Sequence, residues 1–267
     1  MLETASARLR SAGCDTPRLD AELLLAHALG VDRSRLLIED FAVPDEFESL
    51  LARRAAREPV AYIVGHKDFR RIRLAVDRRV LIPRPETELL VDAALSLPEG
   101  ARVADVGTGS GAVALALKDE RADLEVTGLD ISEEAIEVAR GNAARLGLDV
   151  RFVQADLLDG GEYDAVLANL PYVAEGDELE PEITLYEPAG ALFAGQDGLD
   201  EIRRLIDCLD DVPFVALEVG AGPADVVSEV GASQADVVAA HLQRTDFRSI
   251  EVLGDLAGHE RVVVAHR

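Results

Sequence analysis

The chain has 267 residues, 48% of them apolar, enough for one large domain or a main domain with a smaller partner. No apolar run approaches the roughly 18 residues of a membrane span, and the opening stretch MLETASARLRSAG lacks the apolar core of a signal peptide, so a cytoplasmic protein without membrane attachment is expected. The formal net charge is −24; so acidic a surface repels polyphosphate and weighs against stable nucleic-acid binding.

The two cysteines, Cys14 and Cys208, have neither a metal spacing nor the pattern of a disulfide framework. The histidines are scattered and form no ligand motif, so no metal is expected. In chain order, the first stretch is helical. TPRLDAELLLAHALG carries apolar residues at helical spacing and ends on Gly30, a natural C-cap. DEFESLLARRAAREP repeats the pattern and stops at Pro59. His27 lies inside the first of these helices, as a packing or surface position. Residues 60–84, VAYIVGHKDFRRIRLAVDRRVLIPR, alternate and carry β-branched side chains, which predicts a β-hairpin linker. Pro85 then suits the first position of a helix whose early acids, Glu86 and Glu88, favour the positive end of its dipole.

From residue 101 strands and helices alternate. ARVADVG, LEVTGLD, DVRFVQAD, YDAVLAN, PFVALEVG, FRSIEVLGD and RVVVAHR read as strands. GAVALALKDE, SEEAIEVARGNAARLG and DGLDEIRRLIDCL read as helices, the second capped by Ser132. Short apolar strands separated by helices predict a mostly parallel, doubly covered α/β sheet.

The turn ADVGTGSGAV joins the first of these strands to its helix. Gly107, Gly109 and Gly111 permit backbone angles that a β-carbon forbids and let a ligand approach the main chain, outside the carboxyl end of the strand where such sheets bind ligands. A dinucleotide fingerprint, G-x-G-x-x-G, would place its third glycine one residue later, where Ala112 stands. G-x-G-x-G preceded by Asp105 is similar instead to the loop of S-adenosylmethionine (AdoMet) methyltransferases. Asp130, about twenty residues on at the end of the next strand, can accept from both ribose hydroxyls. Asp156, ending the third strand, is either a helix cap or an acceptor for an adenine amino group, with Leu157 packing on the ring.

Asn169 ends the strand YDAVLAN and opens ANLPYV. Its Oδ1 and the main-chain carbonyl of Leu170 can each accept one N–H of a planar NH2 group, with Pro171 stiffening the peptide and Tyr172 offering a flat wall. An amide nitrogen is a weak nucleophile because its lone pair is delocalised. Two acceptors on its hydrogens favour the localised form as a bond develops.

The chain resembles the release factor glutamine methyltransferases along nearly its whole length. AGCDTPRLDAELLLAHALG is similar to that family's helical N-terminal domain, REPVAYIVGHKDF and LIPRPETELLV to its hairpin and linker, DVGTGSGAVALAL to its AdoMet loop, YEPAGALFAGQDGLD to the segment after its amide motif, and DLAGHERVVVA to its last strands. The resemblance implies a class I, Rossmann-like methyltransferase with a mostly parallel seven-stranded sheet: a helical recognition domain at 1–58, a β-hairpin linker at 59–84 and the methyltransferase domain at 85–267. It implies methylation of the side-chain N5 of the glutamine in the Gly-Gly-Gln motif of a peptide-chain release factor; apart from the resemblance, a monomer is expected. AdoMet would be held by Asp105, Gly107, Thr108, Gly109, Ser110, Gly111, Asp130, Asp156, Leu157 and Asn169. Asn169, Leu170, Pro171 and Tyr172 would be the catalytic and glutamine-binding residues. Two positions depart from the family: Leu170 replaces the first proline of Asn-Pro-Pro-Tyr, which implies a looser loop, and Pro223 stands where glutamine is common. Asn-Leu-Pro-Tyr is also a form used by rRNA adenine dimethyltransferases, so an N6-adenine methyltransferase is one alternative and a ribosomal-protein glutamine methyltransferase another. The intact glycine loop and Asn169 argue against a non-catalytic AdoMet-binding partner.

Overall fold

The computed structural model describes residues 1–39, 41–220 and 233–267; Pro223 lies outside them. The chain divides into two compact units, Met1–His66 with Val76–Arg78 and Leu179–Glu187, and Lys67–Ala75 with Arg79–Glu178 and Pro188–Arg267.

The first unit contains α1 (Leu2–Ser11), α2 (Pro17–Leu29), α3 (Glu46–Ala55) and α4 (Val60–Val64). Pro17 opens α2, and Gly30 closes it in the left-handed conformation at φ 65°. Its core packs Leu9, Leu24, Leu25, Phe47, Leu50 and Ile63 together. The strand expected from residue 60 is a single helical turn instead. Its β-branched residues suit a strand, but Pro59 enters it and Gly65 ends it at φ 78°, too short a span for the local preference to decide. A segment distant in sequence, with α8 (Pro181–Tyr186), belongs to the same unit. Arg54, itself buried, donates from Nε to Asp20 at 2.7 Å and lies 2.8 Å from Glu182 Oε1; Arg57 also pairs with Glu182. The Tyr186 hydroxyl donates to the Ala56 carbonyl at 2.8 Å. A buried guanidinium with two carboxylates keeps its charge compensated.

The second unit begins with a hairpin, β1 (His66–Phe69) and β2 (Ile72–Ala75). A 3-10 turn at Pro85–Thr87 leads into α5 (Glu88–Ala94). Then follow β3 (Arg102–Val106), α6 (Ala112–Glu120), β4 (Glu125–Asp130), α7 (Glu133–Leu146), β5 (Arg151–Gln154), β6 (Ala165–Ala168), α9 (Asp200–Ile206), β7 (Phe214–Glu218), α10 (Gln234–Arg244), β8 (Ser249–Gly254) and β9 (Glu260–His266). Ser132 caps α7 by accepting from the Ala135 N–H. Seven strands form one sheet in the order β5-β4-β3-β6-β7-β9-β8. The first five in that order are parallel, and β9 runs antiparallel to both its neighbours. Both faces are covered, which explains why β3, β6 and β7 are apolar almost throughout. Val103, Val126, Leu167 and Ala216 pack with residues of α5, α6 and α7. Their neighbours Ala104, Val106, Leu129, Val166 and Val215 pack with α9 and α10.

The connectivity reverses at β3: β4 lies on one side of it and β6 on the other. That is the switch point at which doubly wound sheets open a crevice beyond the strand ends. In the β3–β6 ladder Val106 stands opposite Ala168, so Gly107 and Asn169 leave the sheet side by side.

Candidate active site

The glycine turn folds around a buried carboxylate. Asp105 Oδ2 accepts from the Thr108 hydroxyl at 2.6 Å and from the Ala114 N–H at 3.0 Å. Burial pushes this carboxyl up to about 6, with the two donors pulling the other way. Asp105 therefore braces the turn, and it also lines the cavity into which the turn opens. Asn142, buried in α7, donates to the Ser110 and Ala75 carbonyls and accepts from the Ala75 N–H, stitching β2 to the turn. Gly107 sits at φ 73°, and a β-carbon there would lie 3.2 Å from the Asn169 carbonyl oxygen and 3.1 Å from Leu170 Cδ2. Glycine is needed both for the left-handed backbone and for that approach.

The turn opens on a cavity of about 510 Å³, within the size range of small-molecule sites. Gly107, Thr108, Gly109 and Ser110 line it; Gly111 caps the start of α6 at φ 83° just behind. Asp130 lines it too, and its two oxygens accept from the Gly109 and Ser132 N–H groups, each at 2.9 Å. Each carboxylate oxygen has a second lone pair, so both remain able to take a hydroxyl. Burial raises the Asp130 pKa against those two backbone donors, a cost that a cationic ligand in the cavity would offset. Asp130→Ala is expected to weaken AdoMet binding by about 1–3 kcal/mol, read by calorimetric titration; unchanged affinity would count against its role.

Asp156 and Leu157 line the same cavity. No helix begins at Asp156, so the capping alternative falls. Its Oδ2 instead receives Arg204 of α9 at 2.8 Å, a pair about half exposed on each side. Leu157 is buried and held at φ 67°, a conformation that costs a non-glycine residue about 1–2 kcal/mol.

Asn169, Leu170 and Pro171 line the cavity beside the glycine turn. Asn169 Nδ2 donates to the Thr87 hydroxyl at 3.0 Å, which turns Oδ1 the other way; Oδ1 keeps no partner among the described residues. Leu170 is buried, its side chain packed on Gly107 and within the apolar cluster of α9 and α10. That leucine packs the loop onto the sheet, so apolar contact stands where the family's proline ring would sit. Tyr172 stands outside the cavity lining. Its hydroxyl donates to Glu218 Oε1 at 3.3 Å, and burial beside that acid raises its pKa. It braces the loop from behind Pro171 through Glu218.

The Tyr172 carbonyl accepts from Gln234 Nε2 at 2.9 Å, and Gln234 Oε1 accepts from the Gly220 N–H at 2.8 Å. Val173 and Ala194 exchange backbone bonds with Leu192 and Val173, at 2.9 and 3.0 Å. The site thus leans on residues the sequence analysis does not single out: Thr87, Asn142, Glu218 and Gln234. Thr87 lies within PRPETE and Gln234 opens α10, so for these two the sequence signal was an uncharged polar residue inside a motif or beside a cap, while Asn142 and Glu218 are polar residues within an otherwise apolar helix face and strand.

Glu218 is buried at the end of β7, and burial pushes its carboxyl from 4.5 to about 7, with the Thr87 and Tyr172 hydroxyls opposing. Like Asp105, it holds a proton in the native state at a pH where the unfolded chain has lost it. The unfolded state then binds fewer protons, so stability falls as pH rises from about 4.5 through about 7. The fall assigned to Glu218 is about 2–3 kcal/mol. Urea midpoints at about pH 5 and pH 8 should differ accordingly, and Glu218→Gln should flatten the difference; an equal slope in the variant would contradict this.

Residues 1–65 match the family model described as PrmC N-terminal domain, and residues 85–186 match that of the methyltransferase small domain. Release factor glutamine methyltransferases of Mycolicibacterium smegmatis and Deinococcus radiodurans are each 40% identical to the whole of this chain, over 96% and 97% of their own lengths. The catalytic domain of hMettl16, solved with an RNA hairpin, superposes with a TM-score of 0.56 over 81% of each chain at 14% identity, a likeness of fold alone. With end-to-end identity of that degree joined to a glycine turn and an amide motif side by side at the switch point, the chain belongs to the release factor glutamine methyltransferase family.

Proposed function

We propose that this protein transfers the methyl group of AdoMet to the side-chain amide nitrogen of the glutamine in the Gly-Gly-Gln motif of a peptide-chain release factor. The observation that supports this reading is Asn169: it lines the cavity beside the glycine turn, and with Nδ2 given to Thr87 its Oδ1 has no partner among the described residues and can serve as an acceptor. The cavity suits the methyl donor. The left-handed glycines leave main chain bare, and Asp130 offers two hydroxyl acceptors and a carboxylate that suits a cation, whereas Asp156 and Glu201, which also line the cavity, are both paired with Arg204.

When bound, AdoMet supplies an activated methyl on a sulfonium that leaves as a neutral thioether. The protein's part is positioning. Asn169 Oδ1 and the Leu170 carbonyl each take one N–H of the glutamine amide, so its nitrogen is held and its lone pair localised. Orientation of this kind can supply about 7–11 kcal/mol of the barrier. One amide proton is lost to water after transfer, and no strong base is required of the chain. The helical unit, residues 1–58 in its main part, docks the release factor, and the protein acts as a cytoplasmic monomer.

The test is to incubate the purified protein with AdoMet and release factor, with rRNA in parallel, and map methylation by mass spectrometry. One methyl on the Gly-Gly-Gln glutamine is expected. Methylation of adenine, or of a ribosomal-protein glutamine alone, would overturn the reading.

A further inference from the structure

A side-chain amide bound to hydroxyls can turn over and exchange its oxygen and nitrogen; one bound only to main-chain groups cannot. Gln234 is of the second kind. Its Nε2 donates to the carbonyls of Tyr172, at 2.9 Å, and Asp197, at 3.1 Å, and its Oε1 accepts from the Gly220 N–H at 2.8 Å. Carbonyls only accept and an amide N–H only donates, so one orientation satisfies all three groups and the flipped one satisfies none. The residue is buried, and a group left unpaired there would be costly.

The surrounding chain builds a slot for this side chain. Ser233 Oγ accepts from the Asp236 N–H at 3.1 Å, Asp236 Oδ2 accepts from the Ser233 N–H at 3.1 Å, and the Ser233 hydroxyl donates to Glu260 of β9 at 2.7 Å. The first turn of α10 is thereby fixed, and Gln234, its first residue, reaches back to the chain leaving β7. Glycines stand on both sides. A β-carbon at Gly220 would lie 3.0 Å from Gln234 Oε1, and one at Gly198 would lie 2.9 Å from its Nε2.

What the glutamine holds is one peptide plane of the amide loop. Its bond to the Tyr172 carbonyl takes one edge of that plane. The N–H of the same peptide, on Val173, donates to the Leu192 carbonyl at 2.9 Å and takes the other. Between this plane and the Leu170 carbonyl stand only Pro171, whose ring fixes φ, and Tyr172, whose hydroxyl is tied to Glu218 at 3.3 Å. A shift of the Tyr172 peptide is passed along that short span.

We propose that Gln234 is a positioning residue for the methyl acceptor: its two N–H groups tie the Tyr172 and Asp197 carbonyls together, which fixes the far end of the amide loop and, through Pro171, the direction of the Leu170 carbonyl. The segment around Gly198 is then the buttress of the loop, with the glutamine as its tie. The effect on rate rests on the methyl-transfer reading above; the tie itself does not.

Two variants of the full chain separate donation from packing. Gln234→Glu keeps the shape and the acceptor for Gly220 but sets oxygen against the two carbonyls, and Gln234→Met keeps the length alone. Amide hydrogen exchange followed by NMR reads the tie. The Val173 and Ala194 N–H groups, which close the loop onto the Leu192 and Val173 carbonyls, should exchange at least about tenfold faster in both variants. Gly220 should exchange faster only in Gln234→Met, and Gly107 and Thr108 of the glycine turn in neither. In methylation assays both variants should lower kcat by about 10–100-fold, with AdoMet affinity kept within about threefold and KM for the release factor changed less than kcat. Unchanged exchange at Val173 and Ala194 in either folded variant, or AdoMet affinity falling in step with kcat, would overturn the proposal. If the wild-type protein methylates no glutamine while the exchange responds as expected, the function falls and the tie stands.

Discussion

Asn169→Ala should lower kcat for release-factor methylation by about 10²–10³-fold or more while leaving AdoMet affinity within about twofold. The two effects separate because the residue's two faces do. Its backbone packs against Gly107, and that contact survives truncation at Cβ. Its Oδ1 is the lost group, and the bond it makes to the substrate amide strengthens as the nitrogen lone pair localises, so removal raises the barrier rather than the dissociation constant. Asn169→Asp is a sharper variant, since it keeps an acceptor but places a charge beside Thr87. It should retain more activity than alanine at low pH and lose it as the pH rises. Calorimetry and single-turnover kinetics on the same preparations give both quantities. Parallel loss of binding and turnover in Asn169→Ala would mean that the residue shapes the donor cavity and does not grip the acceptor.

Gly198→Ala should be the most damaging of the small substitutions. Gly198 lies at φ 74°, and a β-carbon there would fall 2.1 Å from the Tyr172 carbonyl oxygen and 2.9 Å from Gln234 Nε2. Neither can retreat freely: the carbonyl belongs to the substrate loop, and Gln234 is bound at both ends of its amide. The backbone conformation and the overlap together should cost about 2–4 kcal/mol, a fall in Tm of roughly 5–15 °C at this size. Any protein that stays folded should show Tyr172 displaced and turnover reduced. Gly141→Ala, in the middle of α7 with open space around it, is the control and should be neutral or stabilising by about 0.5–1 kcal/mol. Equal melting temperatures for the two variants would contradict the buttress assigned to the segment containing Gly198.

The parts of this site legible in the sequence are those whose chemistry is local. Three alternating glycines, an acid at the next strand end and an amide before a proline each state their use within a few residues, and the parallel sheet then brings them to one crevice because β3 and β6 are neighbours. What escaped is the support, which comes from residues far apart in sequence. Glu218 is an acid at the end of an apolar strand, and only pairing of β7 with β6 puts it behind Tyr172 and Thr87. Gln234 opens a helix that the sequence analysis leaves unassigned, although Ser233 and Asp236 form a capping box there. VAYIV carried a strand preference that the flanking Pro59 and Gly65 overrode, and the segment around Glu182 joins the helical unit through Arg54 and Arg57, an attachment that periodicity cannot reveal.

The most direct measurement is a crystal structure of the protein with S-adenosylhomocysteine and a Gly-Gly-Gln peptide. The glutamine Nε2 is expected within about 3 Å of both Asn169 Oδ1 and the Leu170 carbonyl oxygen, with the product sulfur across the glycine turn. A glutamine bound elsewhere, or one whose amide oxygen faces Asn169, would contradict the clamp.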